Sequence, residues 1–155
     1  MMDFQLNFET EMVGKCDLAE PLCVEPPTSV REALARMKER NCAAVLICHD
    51  NAVLGIYTER DALKMMAAGA DFDVPIERVM TRDPVVLRAD ESVARAINAM
   101  THGGYRRLPI VDDRGRPLGI IKVEGILHYL VEHFPTVIYN LPPKPHYSTQ
   151  DREGA

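Results

Sequence analysis

Leu54-Gly55-Ile56-Tyr57-Thr58-Glu59-Arg60-Asp61 is the stretch that decides the fold, because the chain nearly repeats it as Leu118-Gly119-Ile120-Ile121-Lys122-Val123-Glu124-Gly125. Outward from this pair, residues 12–66 read onto 76–130 at a shift of about 63 residues, a period that marks paired supersecondary units. Pro21 falls on Pro84, Ser29 on Ser92, Val30 on Val93, Ala33 on Ala96, Met37 on Met100, Ile47 on Ile110 and Asp50 on Asp113, with one residue inserted near Gly115. After the shared Leu-Gly-Ile the copies part: Lys122 stands where the first has Thr58, and Gly125 where it has Asp61. Two clefts with different jobs are expected.

Each copy has one order of elements. In the first, Leu22-Cys23-Val24 is a short apolar run, and Pro26-Pro27-Thr28-Ser29 breaks the chain before a helix. Ser29 with Glu32 fits a capping box, with Thr28 as the alternative cap. Val30, Ala33, Leu34 and Met37 recur at helical spacing and form one apolar face; Val93, Ala96, Ile97 and Met100 match them behind Asp90 or Ser92. Ala44-Val45-Leu46-Ile47-Cys48 is a continuous apolar run, the mark of a buried strand; His49-Asp50-Asn51 turns the chain and residues 53–57 return. The second copy repeats this with 108–111, a turn at 112–115 and 118–121. Pro109 has no N–H for a ladder, so its amide position should face an edge or a gap. A closing helix runs from Glu59 to about Ala68, with Gly69 as C-cap, and another from Val123 to about His133; Gly103-Gly104 stops the helix before them.

The fold class is therefore α/β (α+β), two pseudo-symmetric strand-helix-strand-strand-helix repeats. Half a core of this size is marginal alone, so the repeats should pack sheet to sheet as one body. The boundaries are an N-terminal arm at 1–12, repeat 1 at 13–70, repeat 2 at 71–134 and a Pro-rich tail at 135–155. The tail carries Val137-Ile138-Tyr139-Asn140-Leu141 and then three prolines, an apolar patch suited to docking.

Composition narrows the function. An apolar fraction of 46% supplies a real core, and a net charge of −5 argues against a nucleic-acid binder. No apolar run is long enough to span a bilayer, and the N-terminus is not a secretory signal, so no membrane partner and a cytoplasmic location are expected. Cys16, Cys23, Cys42 and Cys48 lack zinc spacing; the last three read as small buried hydrophobes, and no metal is expected. None of His49, His102, His128, His133 and His146 stands with a nucleophile, and no Walker-type glycine loop is present, so an enzyme is not expected.

The double repeat, the Gly-Ile-x-Thr-x-x-Asp of the first copy, Met80-Thr81-Arg82-Asp83-Pro84 leading into the second, and Arg106-Arg107-Leu108-Pro109-Ile110-Val111-Asp112 together closely resemble the tandem CBS-domain pair, or Bateman module. The resemblance covers residues 13–133. It implies a regulatory module that binds adenosine nucleotides or related ligands between the repeats and forms a disc-like homodimer. It also implies that Asp61 holds the ribose hydroxyls and Thr58 meets a phosphate. Physics supports both: a carboxylate accepts two hydrogen bonds from a cis-diol, and a helix N-terminus is an anion site.

By the same analogy Arg106 or Arg107 reaches the phosphate. Strand alternation lets one of them face the cleft, and the family pattern favours Arg107. Leu22, Cys23 and Val45 are the analogues for the adenine wall. Gly125 cannot grip a ribose, so the second cleft is expected to be empty or to hold something else, with Lys122 as a phosphate contact there. AMP, ADP, ATP and S-adenosylmethionine are the candidate ligands, with fewer than three phosphates favoured by the small positive charge. The client would be a separate protein or the tail.

The plainer readings stay beside these. Thr58-x-x-Asp61 is also a helix cap, and the arginines also fit surface pairs with Asp112, Asp113 or Glu124. The alternative function is a ligand-free CBS dimer acting as a protein–protein scaffold.

Overall fold

The computed structural model describes residues 8–133. The expectations for the tail, and for the first seven residues of the arm, lie outside the described residues. In chain order the elements are β1 (Cys23–Val24), α1 (Val30–Arg40), β2 (Ala44–His49), β3 (Ala52–Thr58), α2 (Glu59–Ala67), β4 (Thr81–Arg82), β5 (Leu87–Arg88), α3 (Val93–Gly103), β6 (Arg107–Val111), β7 (Pro117–Lys122) and α4 (Val123–His133). Short 3-10 turns lie at Val13–Lys15 and Ile76–Arg78.

Local chemistry sets the helix ends. Ser29 accepts the Glu32 N–H at 3.1 Å and Ser92 accepts the Arg95 N–H at 3.2 Å, so serine is the cap in both repeats rather than Thr28 or Asp90. Glu32 pairs with Arg36 at 2.6 Å instead of reaching back to close a capping box. Gly104 ends α3 at φ 71°, and Gly69 follows α2 at φ 64°, both in the left-handed region that stops a helix.

One sheet runs β1-β2-β3-β4 and the other β5-β6-β7. In each, the short leading strand is parallel to the central one, as Cys23 with Leu46 and Leu87 with Ile110. The central strand is antiparallel to the next. Val45 and Ile47 point to the core under the helices of repeat 1, while Leu46 and Cys48 point to the layer shared with Ile120 of the other repeat. Both faces of β2 are buried, which is why its sequence is continuously apolar instead of alternating.

The repeats exchange their flanking segments. β4, from between the repeats, pairs with β3 of the first. Reciprocally, Ala19, ahead of the first repeat's strands, exchanges hydrogen bonds of 2.8 and 2.9 Å with Ile120 of the second. Val13 and Cys16 are buried in the core of repeat 2, and Ile76 and Met80 in that of repeat 1. The glycine of each Leu-Gly-Ile allows the crossing. A Cβ on Gly55 would meet the Thr81 carbonyl oxygen at 2.9 Å, and one on Gly119 would meet Leu18 Cβ at 2.9 Å.

Pro109 sits on the central strand β6, not on an edge. Its counterpart Leu46 donates to the Leu22 carbonyl at 2.8 Å, just ahead of β1. At the matching place in repeat 2 the partner strand begins only at Leu87, so the missing N–H costs no ladder bond.

Candidate functional site

Thr58 ends β3 and caps α2. Its main-chain N–H donates to Asp61 Oδ2 at 2.9 Å, its hydroxyl donates to the same oxygen at 3.1 Å, and the Asp61 N–H returns to Thr58 Oγ1 at 3.5 Å. This is a full capping box. Both bonds to the carboxylate use Oδ2; among the described residues no partner is found for Oδ1. The cap therefore orients the carboxylate and leaves one oxygen for another molecule. Beneath it, the buried Tyr57 donates to Met65 Sδ at 3.1 Å and fastens the end of β3 to α2.

Thr58 and Asp61 open onto a cleft of about 790 Å³ between the repeats. Its opposite wall is the start of β6, with Arg106, Arg107, Leu108 and Pro109. Thr81, Asp83, Pro84 and Val85 form its floor, and Arg60 and Lys64 stand at its edge on α2. The volume lies in the range of small-molecule and cofactor sites.

Both arginines border the cleft, where strand alternation allowed only one. Arg106 precedes β6, in the turn from α3, so alternation does not govern it. Arg106 is exposed. Arg107 is half-buried, and its Nε is buried with no hydrogen-bond partner. Two of the three acids proposed as their surface partners are otherwise engaged, Asp112 with Arg116 at 2.7 Å and Asp113 with Arg88, and Glu124 makes no ion pair with either arginine. No ion pair of Arg107 is found among the described residues. A buried guanidinium nitrogen without an acceptor is costly, and the residue that carries it lines the cleft.

Leu22, Cys23 and Val45 do not line this cleft. Leu22 and Val45 are buried in the core of repeat 1, and Cys23 faces the seam between the sheets. The apolar wall is made instead by Ile56, Pro84, Val85, Leu108 and Pro109. The flanking exchange brings 81–85 there. The motif Met80-Thr81-Arg82-Asp83-Pro84 was visible in the sequence, but only its long-range pairing with β3 turns it into a wall. The cysteines also differ in part from the sequence reading: Cys16 and Cys48 are buried, while Cys23 and Cys42 are half-buried, and all four are free thiols.

The second repeat's equivalent place is taken by the chain itself. A Cβ on Gly125 would stand 2.6 Å from the carbonyl oxygen of Asp17. The start of repeat 1, at Asp17, thus lies where the counterpart of the Asp61 carboxylate would project. Lys122 ends β7 half-buried and does not border the large cleft.

The CBS-domain profile matches the chain twice, over residues 15–68 and 76–132. An uncharacterised 17.7 kDa protein from Acidianus ambivalens is 36% identical over 70% of this chain and 66% of its own length. An uncharacterised protein from Methanopyrus kandleri is 34% identical over 77% of this chain and 64% of its own. The chain thus spans just under two thirds of the length of these relatives. Among solved structures, the CBS domain pair of protein MJ0100 in complex with 5-methylthioadenosine and S-adenosyl-L-methionine superposes with a TM-score of 0.71 at 25% identity, covering 79% of this chain and 98% of that one. CBSX2 in complex with AMP has the same fold, with a TM-score of 0.69 at 23% identity over 79% and 97% of the two chains.

Proposed function

The chain belongs to the CBS-domain family and carries its repeat twice, and from that premise we propose that it is a regulatory module that senses an adenosine-type nucleotide in the Asp61 cleft. Asp61 Oδ1 accepts from the ribose hydroxyls. Thr58 and the first amides of α2 meet the phosphate from one side, and Arg107 meets it from the other. The observation that carries this reading is that one cleft is lined both by a pre-oriented carboxylate, Asp61, and by Arg107, an arginine for which no ion pair is found among the described residues. The MJ0100 complex, whose ligands are both adenosine compounds, supports the same chemistry in a relative.

Charge selects among the candidates. Arg60, Lys64, Arg106 and Arg107 border the cleft against Glu59, Asp61 and Asp83. Four cations against three acids, one of them committed to ribose, favour a phosphorylated nucleotide over the cationic S-adenosylmethionine. More phosphates can be accommodated than a single arginine would allow. The second cleft, closed by Asp17, takes no ligand, so binding is one per chain.

Binding signals only if the ligand prefers one arrangement of the repeats or of an assembly. Leu63 and Met66 on α2 and Leu127 on α4 are 64%, 58% and 56% exposed, and Leu63 and Leu127 occupy matched positions. Exposed apolar side chains at matched helix positions support a homodimer through these helix faces, which would present the ligand state to a separate client. The scaffold reading rests on the same residues and differs in needing no ligand.

Calorimetric titration with AMP, ADP, ATP and S-adenosylmethionine decides between them. One phosphorylated nucleotide bound per chain, weakened in Arg107→Met, is the expected result. No heat with any of the four, from a folded protein, leaves the scaffold.

A further inference from the structure

Matched helix ends in the two repeats differ in a way that stopping a helix does not explain. α1 ends at Arg40 and α3 at Gly103, and each is followed by a left-handed residue, Asn41 at φ 51° or Gly104 at φ 71°. Arg40 shows that this position accepts a side chain, and glycine is a poor helix residue, so Gly103 has another use. A Cβ on Gly103 would stand 2.2 Å from Cε2 and 2.5 Å from Cδ2 of Tyr105. The bare Cα of Gly103 is the seat of the Tyr105 ring. The ring is exposed there, and its hydroxyl has no hydrogen-bond partner among the described residues. It borders the Asp61 cleft as the one aromatic ring among the described lining residues, and it also borders an apolar groove with Met100, Leu127 and Leu130.

The duplication shows which cleft the ring accompanies. Tyr105, Arg106 and Arg107 correspond to Cys42, Ala43 and Ala44, as Thr58 and Asp61 correspond to Lys122 and Gly125. Ring, arginines and the Thr-x-x-Asp motif meet in one cleft, and their counterparts carry no aromatic ring, guanidinium or carboxylate. We propose that Tyr105 recognises the base of the nucleotide by stacking its ring on the purine, an inference that rests on the nucleotide reading of this cleft.

In that reading Asp61 holds the ribose, Arg107 and the start of α2 hold the phosphate, and the base is left without a dedicated partner. Tyr105 precedes Arg107 by two residues, at most about 7 Å of chain, so the two side chains can serve the two ends of one nucleotide. Ile56, Pro84 and Val85 give the same cleft an apolar lining but no π face. A purine gains more from an aromatic face than from burial alone, because the two π systems stack. A ring already seated against Gly103 also loses little freedom when a base arrives. Every base has a π face, so Tyr105 selects a nucleotide over a bare sugar phosphate, and not one purine over another.

The test is calorimetric titration of the full chain, Tyr105→Phe and Tyr105→Leu with AMP, ADP, ATP and S-adenosylmethionine, each protein also being melted by circular dichroism. Tyr105→Phe keeps the ring and should bind as the wild-type protein does. Tyr105→Leu keeps apolar bulk without a π face and should bind about fivefold or more weakly. Melting temperatures should agree, because the ring is exposed and its hydroxyl has no partner among the described residues. A ring that only covers the groove would shift the melting temperature of Tyr105→Leu and leave its affinity alone, which overturns the proposal. Equal losses of affinity in the two variants overturn it as well, since the aromatic face is then not what the ligand meets. Heat with none of the four ligands from the wild-type protein defeats the nucleotide reading and this inference together, whereas wild-type affinity kept by Tyr105→Leu defeats the inference alone.

Discussion

Asp61 and Thr58 are joined through a single carboxylate oxygen: Oδ2 receives both the main-chain N–H and the hydroxyl of Thr58, at 2.9 and 3.1 Å. The cap and the proposed ribose contact are therefore not rival explanations of the motif. The cap fixes the rotamer through Oδ2, on a residue that lines the cleft, and leaves Oδ1 without a partner among the described residues. Helix capping lowers the cost of ordering that side chain when a ligand arrives.

This shared geometry separates two substitutions. Asp61→Ala removes cap and ribose acceptor together and should cost about 1 kcal/mol of stability as well as nucleotide affinity. Asp61→Asn keeps an oxygen for the Thr58 N–H but loses the charge; its melting temperature should stay near wild type while affinity falls. Chemical denaturation paired with calorimetry reads both quantities. Wild-type affinity in Asp61→Asn would remove the carboxylate from the binding site.

Arg107→Met should behave in the opposite sense for stability. It replaces a half-buried guanidinium with an unsatisfied Nε by an apolar chain of similar reach, so the free protein should be as stable or more stable. Loss of a charge-assisted contact of about 1.5–3 kcal/mol should weaken a phosphorylated nucleotide by about tenfold or more. Adenosine, which has no phosphate, should bind both proteins alike.

Gly125→Ala probes the closed second cleft. The added methyl would meet the Asp17 carbonyl at 2.6 Å, a backbone atom with no rotamer to yield. Overpacking of this kind costs about 1–3 kcal/mol. The melting temperature should drop, and hydrogen exchange should speed up at residues 17–20 while the first cleft keeps its ligand. Unchanged exchange there would mean that this segment does not depend on the contact.

A charge introduced at Leu63 and Leu127 tests assembly. The wild-type protein should sediment as a dimer, and Leu63→Glu/Leu127→Glu as a monomer. A dimer that survives both changes would place the contact on another face.

The turn after β6 gives a pH dependence. Asp112 accepts the Arg116 N–H and the Arg114 N–H, both at 2.9 Å, and pairs with the Arg116 guanidinium. The Arg116 backbone bond leads in holding its carboxyl below the usual value of 3.8. A depressed folded-state value contributes stability that is present above the unfolded value and lost as pH falls through the folded one. Melting temperature should therefore decline below about pH 3.8, and less steeply in Asp112→Asn. Equal slopes for the two proteins would contradict the role of Asp112. Asp112 is half-buried but its Arg116 partner is exposed, so salt should reduce the effect in part.

Sequence alone determined the elements and their duplication. Apolar periodicity, serine caps, glycine stops and turn residues act within a few positions, so α1, α2, α3, α4 and the paired strands lie close to where the pattern set them. Thr58 and Asp61 were legible for the same reason, because a capping box closes within one helical turn. Tertiary structure decided what lies more than a turn away. It exchanged the flanking segments, so 81–85 rather than Leu22, Cys23 and Val45 wall the cleft. It brought Arg106 into the cleft beside Arg107, laid Asp17 over Gly125, and set Cys23 opposite Leu46. Each of these rests on a pairing between distant strands, where register is fixed by burial on both sheet faces at once, and a local pattern carries no record of which distant strand will supply the partner.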